Sequence, residues 1–201
     1  MSINPSSFTL SIIIPCYNEI NTINELIKKV KSSPIKSKQI IIIDNCSNDG
    51  TREFLSNLKD ESLTIVFNER NLGKGGSVSK GFLLATGNIT LIQDADLEYD
   101  PLEHIRVIQP ILDGKADVVY GSRFRGYGTS RSVYFWHRLG NFLITNMCNI
   151  FTNLNLTDVE TCFKAIKLEK LKKLQLKENG FGIEPELTIK LSKIKCKFYE
   201  V

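Results

Sequence analysis

At 201 residues, with 42% apolar and 24% charged side chains, the chain has the size and balance of one globular domain with a substantial core. Its 26 Lys and Arg against 22 Asp and Glu leave a net charge of +4. That is too mild for the concentrated basic stripe of a nucleic-acid binder, and it suits an anionic small molecule or an anionic membrane surface equally. Five widely spaced cysteines with no C-x-x-C pair argue against a zinc site or disulfide framework, and for reduced thiols in a cytosolic protein.

The apolar run Phe8–Ile14 is short, lacks a basic n-region and ends at Pro15, so it reads as a buried strand rather than a signal peptide. A helical pattern at about 21–31 sets Ile23, Leu26, Ile27 and Val30 on one face, and Pro34 closes it. The run Gln39–Ile43 predicts a second strand, ending in the turn-rich Asp44–Gly50. A helix carrying Phe54, Leu55 and Leu58 follows, then a strand at 63–67, the segment Asn71–Gly76, a helix to about Thr86 and a strand at 88–93. A helix after Pro101 and a strand at 116–120 complete the alternation. No apolar run approaches the ~18 residues of a membrane span.

Uniformly apolar strands alternating with helices predict a three-layer α/β/α sandwich, Rossmann-like, with a mostly parallel central sheet. The second half is less regular. Residues 122–132 read as a basic, mobile loop and 133–152 as a long helix with Trp136, Leu139, Phe142, Leu143, Met147 and Ile150 apolar. A short helix, a helix to about 193 and a final strand close the chain. The long helix fits either core packing or a membrane surface.

Ligands in such sheets bind beyond the carboxyl ends of the strands. Polar clusters follow all five strands of the first half: Pro15–Glu19, Asp44–Gly50, Arg70–Gly76, Asp94–Asp100 and Gly121–Arg125. Asp94-Ala95-Asp96, with Glu98 two residues on, offers three hard oxygen donors. On extended backbone, carboxylates two apart point the same way. They repel unless a divalent cation sits between them, and Mg²⁺ or Mn²⁺ held by carboxylates plus substrate phosphates is the usual arrangement. Asp100 before Pro101 reads more simply as a helix cap.

The other clusters carry weaker signals. Asp44-Asn45 could read a base edge or a ribose hydroxyl, or be a plain turn. Asn71–Gly76 does not match the G-x-x-x-x-G-K-S/T phosphate loop, and its glycines read as opening a closely packed helix. Arg123, Arg125, Arg131 and Arg138, with His137, suit phosphates or a solvated loop, with Arg123 favoured for directly following a strand.

Taken together, Ile14-Pro15-Cys16-Tyr17-Asn18-Glu19, Ile43-Asp44-Asn45-Cys46-Ser47-Asn48-Asp49-Gly50-Thr51, Asn71–Gly76, Gln93-Asp94-Ala95-Asp96 and Gly121-Ser122-Arg123-Phe124 resemble the family 2 glycosyltransferases of GT-A fold. Within them the likeness is greatest to the polyprenyl-phosphate sugar synthases of the dolichol-phosphate mannose synthase group. The resemblance covers nearly the whole chain as a single catalytic domain, 1–201. It implies a nucleoside pocket of Pro15, Tyr17, Glu19 and Ile43, with Asn45 where an Asp normally meets the base and Ala95 against the nucleotide. It implies a metal and diphosphate site of Asp94 and Asp96, with Glu98 as a further ligand. Arg123 would face the phosphates, and Arg125, Arg131 and Arg138 the phosphate of a lipid acceptor.

The implied reaction moves a sugar from a GDP- or UDP-linked donor to a polyprenyl phosphate, with inversion and Mg²⁺ or Mn²⁺ as cofactor, at the cytoplasmic face of a membrane. Neither His104 nor His137 has triad-like surroundings. Family members usually continue past the last strand with further basic residues and often transmembrane helices, which leaves open a shortened C-terminus or a minimal member. Two other readings stand beside this one. A saccharide hydroxyl acceptor would require a carboxylate base, with Asp158, Glu160 or Glu184 as candidates; a non-catalytic nucleotide-sugar binder would not react at all. The oligomeric state is left open.

Overall fold

The computed structural model describes residues 7–125 and 134–201. Its strands are β1 (Leu10–Cys16), β2 (Lys38–Asp44), β3 (Leu63–Phe67), β4 (Ile89–Ile92), β5 (Val118–Tyr120), β6 (Lys164–Lys167) and β7 (Phe198–Glu200). They form one sheet in the order β3-β2-β1-β4-β6-β5-β7. All neighbouring pairs are parallel except β4–β6 and β5–β6. The helices are α1 (Ile23–Ser32), α2 (Thr51–Asn57), α3 (Gly73–Leu84), α4 (His104–Leu112), α5 (Phe135–Thr152), α6 (Leu168–Leu171) and α7 (Ile183–Lys193), with a 3-10 turn at Pro101–Glu103 before α4.

Side-chain alternation along the strands divides the core into two layers. Ile12, Ile14, Ile40 and Ile42 face one side, where Ile23, Leu26 and Val30 of α1 and Val107 and Ile111 of α4 cover them. Ile13, Ile41, Ile43 and Ile92 face the other, beneath Val78 of α3 and Ile183 and Leu187 of α7. Helices on both faces explain why these strands are apolar throughout rather than alternating. The close approach of α3 to β1 depends on Gly81, where a Cβ would collide with Ile13.

Local chemistry sets the element ends. The Lys38 ammonium donates to the carbonyls of Val30 at 2.9 Å, Lys31 at 2.7 Å and Ser33 at 2.9 Å. It thereby satisfies the orphan carbonyls at the C-terminus of α1 and complements that end of the helix dipole. Asp100 accepts from the Leu102 amide at 3.0 Å with Pro101 in the first position, the cap expected from the sequence.

Two regions depart from the sequence reading. The short strand Lys164-Ala165-Ile166-Lys167 was not expected, because lysines bracket it, yet all four residues are buried and it lies between β4 and β5. The long helix exists as α5, and of the two readings left open for it, core packing is the one that fails. Only Asn141, Thr145 and Cys148 are buried, while Trp136 is 75% and Ile150 79% exposed. Its polar side holds the following loop: the Asn141 carbonyl oxygen accepts from the Glu160 amide and the Thr145 hydroxyl from the Val159 amide, at 3.2 and 3.0 Å. The helix therefore turns its hydrogen-bonding face inward and its apolar face to solvent. Much of the basic stretch at 122–132, Arg131 included, lies outside the described residues.

Candidate active site

A cavity of about 450 Å³ opens at the carboxyl end of the sheet, between the loops after β1, β2, β3 and β4. It lies where the strand order reverses about β1, the expected ligand position in an open α/β sheet. The cluster after β5 is not among its lining residues. That strand sits beyond the antiparallel β6.

The floor of the cavity is the turn after β4. Gln93 is fully buried, and its amide donates to the carbonyls of Asp94 and Tyr99, each at 3.1 Å, drawing 94–99 into a closed loop. Its Oε1 lies 2.8 Å from His104 Nε2. Burial, with the charge of Lys38 second, pushes the His104 pKa down to about 4. The imidazole is therefore neutral at pH 7 and donates from Nε2. Within the loop Leu97 takes a φ of 62°, and Asp96 Oδ1 accepts from the Glu98 amide at 2.9 Å.

This corrects the expectation of carboxylates aligned along extended backbone. β4 ends at Ile92, so Asp94, half-buried, and Asp96, exposed, lie on a turn. Among the described residues no three His, Cys, Asp or Glu side chains converge in metal-ligating geometry; Glu98, half-buried, follows Asp96 in the same turn.

Nor does the acidic charge stand alone. Lys74, in the first turn of α3, lies 3.0 Å from Asp94 Oδ1 and 3.6 Å from Glu184 Oε1, and it donates to the Cys162 thiol. Burial would lower the Lys74 pKa, but Cys162, Asp94 and Glu184 together hold it well above the ordinary lysine value. Burial, then Asp94, pushes the Cys162 thiol well up, so it stays protonated. Glu184 in turn pairs through Oε2 with Lys164, which is wholly buried. The Lys164 ammonium also donates to the Val159 carbonyl at 2.9 Å and to the Thr161 carbonyl, and stands 4.6 Å over the Tyr120 ring.

An alternating row of charges, Asp94, Lys74, Glu184 and Lys164, thus runs from the cavity into the core. Only Glu184 of the last three was singled out from the sequence, and for another role. The signal that pointed to Lys74 was its place between glycines. A Cβ at Gly75 would collide with the Glu178 carbonyl, and the Gly76 amide donates to the Asn179 carbonyl at 3.1 Å. These contacts bear out the expectation of glycines opening a closely packed helix. They also bring Phe181, which the sequence did not flag, to the cavity wall.

Of the expected nucleoside wall, Pro15, Tyr17, Glu19, Asn45 and Ala95 line the cavity. Burial raises the Glu19 pKa, a hydrogen bond from Thr22 opposes this, and Asp96 and Asp94 raise it further. Ile43 does not belong to the wall: its side chain points into the core beneath α3 and is fully buried. Asp44 is also fully buried and paired with Arg52 at 3.2 Å. The Asn45 amide is already engaged: Oδ1 accepts from Leu72 at 2.8 Å and Asn68 at 3.1 Å, and Nδ2 donates to Asn71 at 2.7 Å. It ties the end of β2 to the loop before α3.

On the same edge of the sheet, beyond β6, Arg123 grips buried Asp158 through Nε and Nη2, each at 2.8 Å, and through its own amide at 3.1 Å. This fork holds its guanidinium charged, raising an already high pKa through the Asp158 hydrogen bonds. Arg123 and Arg138 flank the Phe124 ring at 5.8 and 5.5 Å, and Arg125 lies 3.7 Å from Glu200. Arg123 and Arg138 thus meet across Phe124 at the start of α5, while Arg125 sits against β7.

The three candidate bases are now distinguishable. Asp158 is committed to Arg123, and Glu184 to Lys164 through Oε2, with Lys74 standing 3.6 Å from its other oxygen. Glu160 is half-buried, with its pKa raised by burial first and by Glu184 second.

The donor chemistry at the cavity fits a divalent cation. Asp94 and Asp96 supply hard oxygens, and Mg²⁺ commonly needs one or two carboxylates beside substrate phosphates rather than a full protein cage.

A sequence model described as glycosyl transferase family 2 matches residues 11–175. The chain is 26% identical to a dolichol-phosphate mannosyltransferase from Pyrococcus furiosus over 186 residues, covering 90% of this chain but 52% of that protein. It is 26% identical to the UDP-N-acetylglucosamine–dolichyl-phosphate N-acetylglucosaminyltransferase of Methanococcus voltae over 209 residues, covering 94% and 82%. Among solved structures, glucosyl-3-phosphoglycerate synthase from Mycobacterium tuberculosis, crystallised with Mn²⁺, UDP and phosphoglyceric acid, superposes with a TM-score of 0.76 at 20% identity, over 98% of this chain and 69% of that one.

Proposed function

This chain belongs to glycosyltransferase family 2, and on that premise we propose that it moves a sugar from a nucleoside-diphosphate donor to a polyprenyl phosphate. The observation that carries the acceptor is that Arg123 and Arg138 meet over Phe124 where α5 begins, and that α5 turns its apolar side chains outward. A lipid-linked phosphate has both an anionic head for such a cluster and an apolar tail for such a face.

The donor's nucleoside would rest against Pro15, Tyr17 and Ala95, with its diphosphate over Asp94 and Asp96. A divalent cation, Mg²⁺ or Mn²⁺, would supply positive charge against the departing diphosphate. A phosphate monoester is already ionised at neutral pH, so its oxygen can attack the anomeric carbon without a protein base, and in-line displacement inverts that centre. This agrees with Asp158 and Glu184 being tied up in ion pairs. Arg123, held by Asp158 on one edge, would keep Nη1 for a phosphate, and Arg131 would add to the cluster.

The apolar face of α5 also supports peripheral contact with a membrane. Among the described residues no helix is long and apolar enough to cross one.

One observation favours a second reading. Glu160, with its pKa raised by burial and by Glu184, has the properties of a general base for a saccharide hydroxyl acceptor. Purified protein with Mn²⁺ and a panel of GDP- and UDP-sugars, offered polyprenyl phosphates and saccharides in turn, tests the choice. Transfer to a polyprenyl phosphate that survives Glu160→Gln supports the leading reading. Failure with every polyprenyl phosphate, alongside Glu160-dependent transfer to a sugar, overturns it.

A further inference from the structure

The Lys74 ammonium lies between two carboxylates and bonds only one of them. It stands 3.0 and 3.3 Å from the two Asp94 oxygens and 3.6 Å from Glu184 Oε1. Glu184 is 1% exposed, and its Oε1 accepts no hydrogen bond among the described residues, while its other oxygen is held by Lys164. A buried carboxylate oxygen left without a donor is costly and calls for an explanation. Here the donor it lacks is an ammonium already in the same compartment, about half an ångström beyond bonding distance.

We infer that Lys74 and Glu184 act as a hand-over pair that positions Asp94: the ammonium holds Asp94 before a metal arrives, then shifts to Glu184 Oε1 as a divalent cation takes the aspartate. Two positive groups cannot share one carboxylate without repulsion, so the incoming cation displaces Lys74. Glu184 gives the displaced charge a place inside the fold, which a solvent-exposed site would find in water. Lys164, bound to Oε2, keeps the receiving carboxylate in place while Oε1 waits. The Gly75 and Gly76 contacts fix the α3 terminus, so the shift is made by the lysine side chain and not by the helix. Lys74 and Glu184 are thus positioning residues, acting through Asp94. The inference rests on the metal reading of Asp94 proposed above.

Mn²⁺ affinity, measured by calorimetry and by electron paramagnetic resonance in the absence of nucleotide, reads the pair without any turnover. Lys74→Met frees Asp94 of its competitor and should tighten Mn²⁺ about tenfold, the scale of a partly screened ion pair. Glu184→Gln removes the receiving charge and should weaken Mn²⁺ by a similar factor. Opposite signs are the signature, because a merely structural role would weaken both variants or move neither. Thermal unfolding checks that each variant is folded. Should Glu184→Gln not fold, Lys74→Met decides alone, and unchanged or weaker Mn²⁺ binding there overturns the hand-over. Wild-type protein that takes up no Mn²⁺, with or without nucleoside diphosphate, overturns the metal reading itself and this inference with it.

Discussion

The two ends of the proposed reaction are built on opposite principles. Around Asp94 the polar groups are tied to one another through the fold, with Glu184 Oε1 and His104 Nδ1 the buried atoms left over among the described residues. Gln93 closes the turn, His104 anchors Gln93, Asn45 ties two loops together, and four charges alternate from the cavity inward. Around α5 the polar groups are turned inward, and the large apolar side chains from Phe135 to Phe151 stand in solvent. The first region is complete as a body within the fold. The second is shaped for something outside it, and the comparison teaches that substitutions should act differently in the two places.

The largest expected effect is at the turn. Asp94→Asn should lower transfer by about 10³-fold with little change in unfolding, if Asp94 holds the metal that meets the leaving diphosphate. An assay with a saturating donor, set against a melting curve, checks this. A loss of that size from any single substitution on the face of α5 would break the contrast between the two regions.

Next comes the charge row. Lys164→Met leaves Glu184 buried without its fully buried partner and should cost about 3–5 kcal/mol in urea unfolding.

The His104 effect depends on pH. Its folded pKa, about 4, lies below the ordinary value of 6.5, so the unfolded chain binds the extra proton first as pH falls. Stability from this group is therefore full above pH 6.5 and is lost progressively as pH drops through about 4, by about 3 kcal/mol at most. His104→Gln should flatten that part of the stability-against-pH curve relative to wild type. An unchanged slope between pH 6.5 and 4 would refute the assignment.

Smaller effects belong to the second region. Arg138→Ala should raise the KM for polyprenyl phosphate about fivefold and leave the donor KM alone. Trp136→Ser with Ile150→Ser should leave stability within about 0.5 kcal/mol of wild type, since both side chains are already in solvent. The same pair should abolish sedimentation with anionic phospholipid vesicles. A marked loss of stability instead would mean that the face is covered within the protein, and the contrast would fail.

The first half of the fold was legible because its signals are local. Ile12-Ile13-Ile14 and Ile40–Ile43 are too apolar for anything but strands covered on both sides, and Pro34, Asp100 and Pro101 mark element ends by their own chemistry. The edge on which Asp94 lies followed from the alternation of strands and helices alone. What stayed hidden depends on partners distant in sequence. Lys164 is buried because Glu184 meets it, and a lysine-bracketed tetrapeptide shows no trace of that. Lys74 looked like punctuation between glycines until α7 brought Glu184 beside it. Asn45 lines the cavity where a base contact was expected, and its bonds to Asn68, Asn71 and Leu72, which fix its orientation, come from residues more than twenty positions away. For α5 the apolar stripe was legible and its direction stayed open, since periodicity gives a face without saying what the face meets.

The position of β6 imposes an order in time as well as in space. Among the described residues β5 has no sheet neighbour earlier in the chain: it pairs with β6 and β7, both made after it. The block from β1 to β4 can collapse on mostly near-neighbour contacts while synthesis continues. The far third of the sheet has to wait for residues 164–167 to return across some 70 residues to β4 and bury two lysines on arrival. Pairings that distant close slowly, and until they close the edge of β4 is open to other chains. The strand that completes the sheet is thus also the one whose late arrival decides whether a newly made molecule folds alone or aggregates.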